Sequence, residues 1–208
     1  MAMLEGQALG CVRDRRVLFE DLSFKLESGA IIQIEGANGA GKTTLLRVLC
    51  GLSLPQQGRV LWNGEDILDN RIDYHRRLLY LGHSPGIKDE LTALENLSFY
   101  SALHGGSRDG ERLYQALDQV GLYGFEDSPA RSLSAGQKRR VALARLWLTE
   151  ADVWILDEPL TAIDRSGIAG LESRLAEHAS AGGSVMLTSH QPLAIDRPVV
   201  QRLALTGS

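Results

Sequence analysis

Apolar and polar positions alternate over Leu22-Ser23-Phe24-Lys25-Leu26, the period of a strand with one buried face, and Arg59-Val60-Leu61-Trp62 runs into Asn63-Gly64, a dipeptide suited to a two-residue hairpin turn. The first thirty residues therefore predict short strands and turns, and with 59–62 they predict a small antiparallel sheet. The pattern then changes. Residues 31–35, 153–156 and 184–189 are short apolar runs read as strands, while 43–52 is an apolar helix stopped by Gly51 and Pro55, and 168–180 is a second helical stretch. Strand, helix, strand in alternation predicts a largely parallel sheet with helices on its faces, in which ligands gather at the carboxyl ends of the strands.

Between about 91 and 148 the strand pattern disappears and helical spacing takes over. Thr92-Ala93-Leu94-Glu95 fits a capping box, and Leu91, Leu94, Leu97, Tyr100 and Leu103 recur at i+3, predicting one apolar side of the helix that follows. Residues 104–110 read as a turn-rich connection to a second helix ending near Gly121. Ser134-Ala135-Gly136-Gln137 then opens a third helix that continues through Lys138, Arg139, Val141 and Leu148. The expected division is one domain over 1–208, with a core from 1–85 and 150–208 and a helical subdomain over about 86–149.

Composition narrows the function classes. With 208 residues and 44% apolar content the chain can bury a sizeable core, and a net charge of -4 argues against a nucleic-acid partner. Lys138, Arg139, Arg140 and Arg145 form a local basic cluster, read as a solvated helix face. Cys11 and Cys50 have no metal or redox spacing and are expected to be reduced thiols. The first residues lack a basic stretch followed by an apolar one, and no apolar run reaches the roughly 18 residues that span a bilayer. A cytoplasmic location is the expectation.

The chemistry lies in two turns. Gly36-Ala37-Asn38-Gly39-Ala40-Gly41-Lys42-Thr43 follows a strand and opens a helix, with the G-x(4)-G-K-T spacing of a nucleotide phosphate loop. Its glycines let backbone N–H groups converge on phosphate oxygens, and the helix start adds the positive end of its dipole. Lys42 suits the β- and γ-phosphates, Thr43 offers a hydroxyl to Mg²⁺, and Thr44 or the Asn38 backbone completes the cradle. Asp157, just past the apolar run 153–156, is placed to meet the same metal, and Glu158 to polarise an attacking water. His190 follows the strand at 184–189 and is read as a donor to the γ-phosphate or that water. His75, His83, His104 and His178 carry no ligand spacing. The second turn, Leu133-Ser134-Ala135-Gly136-Gln137, combines a helix cap with a hydroxyl, a glycine N–H and a helix dipole, and so forms a second anion site.

In this order, 36–43, 133–137, Leu156-Asp157-Glu158-Pro159, Thr161-Ala162-Ile163-Asp164 and His190 resemble the nucleotide-binding subunits of ATP-binding-cassette transporters over nearly the whole chain. The resemblance implies an α/β fold: a P-loop NTPase core with a mainly parallel sheet and helices, a small antiparallel β subdomain and a helical subdomain. It also implies a head-to-tail homodimer in which ATP on the phosphate loop of one subunit is capped by Ser134, Ala135, Gly136 and Gln137 of the other. Integral membrane permease subunits are the further partners implied.

More narrowly, residues 81–88, 91–97 and 140–148 resemble the haem-exporter ATPases of bacterial cytochrome c maturation, implying haem-delivery proteins as partners and a peripheral place on the cytoplasmic face of the inner membrane. Three positions depart from the wider family. Arg13 stands where an aromatic residue stacks on adenine, His83 or Ser84 stands where a glutamine precedes the helical subdomain, and Ala135 replaces a glycine. A GTPase or small-molecule kinase is disfavoured, because the guanine-reading Asn-Lys-x-Asp is missing and the 133–137 turn would have no use. A soluble remodelling ATPase would carry two cassettes or a coiled-coil insertion.

Overall fold

The structure is a computed structural model that describes residues 2–13, 15–103 and 109–205, so 104–108 of the expected turn-rich connection, His104 included, lie outside the described residues. The chain forms two compact units. The first comprises Met1–Tyr80, Ala151–Glu158 and Leu175–Ser208, and the second Leu81–Glu150 and Pro159–Arg174.

In the first unit, β1 (Ala2–Arg13) and β2 (Arg16–Glu27) pair antiparallel, and β1 also pairs antiparallel with β4 (Gln57–Trp62), which turns at Asn63-Gly64 into β5 (Glu65–Asp66). Both turn residues have positive φ, 51° at Asn63 and 88° at Gly64, as the hairpin dipeptide predicts. The expected short strands are in fact two strands of 12 residues each. Register shifts divide their pairing, and Ala8 and Asp21, both at positive φ, break the alternation that would mark one long strand.

The second sheet runs β6 (Leu78–Leu81), β7 (Val153–Leu156), β8 (Ser184–Thr188), β3 (Ile31–Glu35), β9 (Val200–Ala204). Its β7–β8, β8–β3 and β3–β9 pairs are parallel. Every residue of β7 and β8 is buried, because parallel strands are covered on both faces and so lose the alternation seen in β2. Helix α1 (Lys42–Leu49) follows β3 and buries Leu45, Leu46, Val48 and Leu49. These residues join Leu4, Leu9, Leu26 and Val60 of one sheet and Ile32, Ile34, Val153, Ile155 and Met186 of the other in a single core. α1 ends three residues before the expected Leu52, at the point where Gly51 takes φ 67°. The short helix α2 (Arg71–Arg76) and strands β6 and β9 were not predicted.

In the second unit α3 (Ala93–Leu103) packs on α4 (Gly110–Gln119) and α5 (Ala135–Ala144), and α4 packs on α5. Thr92 and Glu95 close the predicted capping box: the Thr92 N–H donates to Glu95 Oε2 at 2.8 Å and the Glu95 N–H to Thr92 Oγ1 at 3.1 Å. The predicted i+3 stripe does not hold. Its central member, Leu97, is buried, but its last, Leu103, is 63% exposed, and the rest of the buried side of α3 is Ala93, Asn96 and Ser101. Successive i+3 steps fall about 60° short of a full turn, so four of them wind most of the way round a helix of 3.6 residues per turn. Asn96 occupies the inner face because its amide accepts from the Lys88 N–H at 2.8 Å and donates to the Lys88 and Thr92 carbonyls at 3.0 and 2.9 Å. The chain passes from the second unit to the first within α6 (Arg165–Ser180), which starts three residues before the predicted 168.

Candidate functional site

The turn between β3 and α1 has the shape that anion binding needs. Gly41 stands at the N-terminus of α1 with φ 97°, and a Cβ there would come within 3.0 Å of Leu18 Cβ, so both backbone and packing demand glycine. No side chain caps α1, which leaves its first N–H groups for a ligand. Gly36, Ala37, Asn38 and Gly39 are exposed, whereas Ala40 is buried and anchors the turn. Lys42 folds back over the turn, its Nζ donating to the Gly36 carbonyl at 2.7 Å and the Ala37 carbonyl at 3.3 Å. Its ammonium thus lies over the loop where phosphate charge would collect. Thr44 is half-buried beside it.

Across the sheet rim the structure brings the predicted carboxylates to this helix. Thr43 Oγ1 donates to Asp157 Oδ2 at 2.9 Å, and Thr188 Oγ1 donates to Asp157 Oδ1 at 2.8 Å. The Glu158 N–H donates to that same Thr188 hydroxyl at 2.8 Å, holding Glu158 at φ 49°, a conformation rare outside glycine. His190 Nε2 lies 3.5 Å from Glu158 Oε1. Lys42, Thr43, Asp157, Glu158 and His190 therefore share one rim of the parallel sheet, as the positions after β3, β7 and β8 predict. The hydroxyl and carboxylate oxygens of Thr43 and Asp157 are the hard donors Mg²⁺ prefers, and their close approach fits that ion. Thr188 is a member that sequence reasoning missed. Arg13, at the end of β1, and His83 and Ser84, after β6, are exposed.

The second turn belongs to the second unit. Ser134 Oγ accepts from the Gln137 N–H at 3.2 Å while Gln137 Oε1 accepts from the Ser134 N–H at 2.9 Å, a reciprocal cap at the start of α5. Ser134 and Ala135 are exposed. A Cβ on Gly136 would lie 2.6 Å from the carbonyl oxygen of Ala162, so this glycine permits the loop at 159–164 to touch the turn. Ala162 itself has φ 63°.

The basic residues beyond the turn correct the reading of a solvated face. Arg139 is buried, only 5% exposed, and donates from Nη1 to the Gly82 carbonyl at 2.9 Å. Lys138 pairs with Asp89 at 2.5 Å, and Arg140 pairs with Asp164 at 2.8 Å while donating to the Val120 carbonyl at 3.0 Å. Three consecutive residues thus tie three other segments to α5, because 100° of rotation per residue aims neighbouring side chains in different directions. The Asp164 carboxyl is held below its ordinary range, first by the Gly167 N–H, then by the Ser166 hydroxyl, with Arg140 adding its charge. Cys11 and Cys50 are both buried free thiols. No helix among the described residues is long and apolar enough to cross a membrane, and no cluster of His, Cys, Asp or Glu among them could hold a metal ion on its own.

The chain is 58% identical over 205 residues to the cytochrome c biogenesis ATP-binding export protein CcmA of Salmonella typhi, covering 99% of this chain and 98% of that protein. A solved ATP-binding subunit of an ABC transporter superposes with TM-score 0.87 at 28% identity, over 98% of this chain and 85% of that one. A dimeric ATP-binding cassette in a post-hydrolysis state, bound to ADP and Pi, shares the fold with TM-score 0.80 at 21% identity, over 91% and 88% of the two chains. The family model described as ABC transporter matches residues 19–161, more than half of the sequence, and the chain belongs to that family.

Proposed function

We propose that this chain binds and hydrolyses ATP as the motor subunit of a bacterial ABC transporter complex that serves cytochrome c biogenesis. The observation that carries the reading is the hydrogen-bonded series from Thr43 through Asp157 and Thr188 to Glu158, next to His190, at the mouth of a phosphate loop. The biogenesis role rests on the 58% identity to an export protein of that system.

ATP lies with its β- and γ-phosphates against the N–H groups of 36–43, and Lys42 exchanges the Gly36 and Ala37 carbonyls for phosphate oxygens. Thr43 and Asp157 would hold Mg²⁺, which would supply charge to neutralise the phosphates. Glu158 accepts a proton from the attacking water as the water oxygen bonds to the γ-phosphorus and the bond to the bridging oxygen of ADP breaks. His190 donates to a γ-phosphate oxygen, where negative charge is concentrated. Ser134, Ala135, Gly136 and Gln137 of a second copy cap the nucleotide, which makes ATP part of a homodimer interface. Closing and reopening of that interface reaches integral membrane permease subunits through residues 82–90, at the cytoplasmic face of the inner membrane, and acts there on haem or on haem-delivery proteins. Nucleic acid has no part in this cycle.

The test is Glu158→Gln. It is expected to retain ATP binding while phosphate release falls by about 100-fold or more. Wild-type turnover would remove Glu158 from the mechanism. Purified from detergent-solubilised membranes with ATP, the same variant is expected to bring haem-delivery proteins with it, and recovery of an unrelated permease alone would overturn the biogenesis role.

A further inference from the structure

Gln33 is out of place in β3. It stands among Ile31, Ile32 and Ile34 in a strand flanked by β8 and β9, and it is only 2% exposed. An amide buried in an apolar sheet is costly unless its hydrogen bonds are made, and packing alone would favour an aliphatic side chain there. Both ends of this amide are used on one loop. Nε2 donates to the Gln191 carbonyl at 3.0 Å, and Oε1 accepts from the Leu193 N–H at 3.4 Å. The loop also closes on itself: Ser189 Oγ donates to that Gln191 carbonyl at 2.8 Å and accepts from the Gln191 N–H at 3.1 Å.

His190 is the residue enclosed by these bonds. Its side chain is 62% exposed, so packing does little to orient it, yet Nε2 lies 3.5 Å from Glu158 Oε1. The direction of the imidazole is therefore set by its backbone, and that backbone is fixed from below by a side chain in the centre of the sheet. We propose that Gln33 is a positioning residue for hydrolysis, whose buried amide pins the loop at 189–193 and so aims His190 at the reacting phosphate beside Glu158. The proposal rests on the role given to His190 above. Gln33 is buried beneath the rim and acts only through the loop.

The experiment is a double-mutant cycle on ATP hydrolysis by the full chain, comparing wild type, Gln33→Leu, His190→Ala and the combination. Gln33→Leu is expected to lower kcat about tenfold with KM for ATP almost unchanged, since a small displacement of a reacting group costs rate rather than affinity. The combined variant is expected to be no slower than His190→Ala alone. Losses that multiply would show that Gln33 does not act through His190 and would overturn the proposal while leaving His190 its role. Wild-type kcat in His190→Ala would overturn both. A loss of stability in Gln33→Leu is separated by the Hε1 chemical shifts of the histidines: the His190 signal moves while that of His75, bonded elsewhere to the Cys50 carbonyl, stays in place. An unmoved His190 signal would count against the proposal even if hydrolysis fell.

Discussion

Thr188 supports two residues of the proposed site at once, since its hydroxyl donates to Asp157 and accepts from the Glu158 N–H. Thr188→Val keeps the shape and deletes both bonds. Each buried partner left unsatisfied costs about 1–3 kcal/mol, so a lowered melting temperature is expected, together with slowed hydrolysis and ATP binding close to wild type. Hydrolysis at the wild-type rate would mean that Glu158 keeps its place without this bond. Asp157, Glu158 and His190 are legible in the sequence because each follows an apolar run that can only be a strand in such a fold. Thr188 and Gln33 are not. A hydroxyl or an amide inside a strand has no local signature, and its task appears only when β8 lies between β7 and β3.

At the scale of the element, α5 gathers the second unit. Lys138→Gln removes an ion pair whose Asp89 side chain is 58% exposed, a kind of contact that contributes less than about 1 kcal/mol. Arg139→Gln removes a buried charged donor from a half-buried carbonyl and is expected to cost about 2 kcal/mol, so chemical denaturation should separate the two variants clearly. Equal midpoints would show that burial of Arg139 adds nothing. Gly136→Val should leave ATP affinity of the isolated subunit intact and abolish hydrolysis, because the new side chain would displace the Ala162 carbonyl. Normal hydrolysis would show that this close approach is dispensable. The helix starts were readable from their caps at Thr92 and Ser134. The face of α3 was not, because an i+3 count drifts around the helix and a buried asparagine holds the inner side. β9 has no apolar run to mark it, because Gln201 and Arg202 sit exposed on an edge strand.

The first unit carries its own response to alkali, because the groups lie in the core that its two sheets share. Burial raises the Tyr74 phenol well above its ordinary 10.0, pushes Tyr80 up to about 12 and raises the Cys50 thiol. The unfolded chain releases these protons first, so it binds fewer protons than the folded chain and stability falls as pH rises. Loss is expected to begin near the unfolded thiol and phenol values and to continue past the folded one of Tyr80. Thermal melting followed from about pH 8 to 12 should show this decline, steeper than in Tyr74→Phe; a flat profile would contradict the burial of these groups. The two sheets and the main alternation of strands and helices were legible from periodicity, though α2, β6 and β9 were not, whereas the reading of 36–43 and 133–137 as two phosphate turns of one shared pocket came from resemblance, since half of each proposed pocket belongs to another copy. Sedimentation velocity of purified Glu158→Gln with and without Mg²⁺ and ATP tests that assembly most directly. The account predicts a monomer that becomes a dimer when nucleotide is added, and a species that remains monomeric at saturating ATP would contradict it.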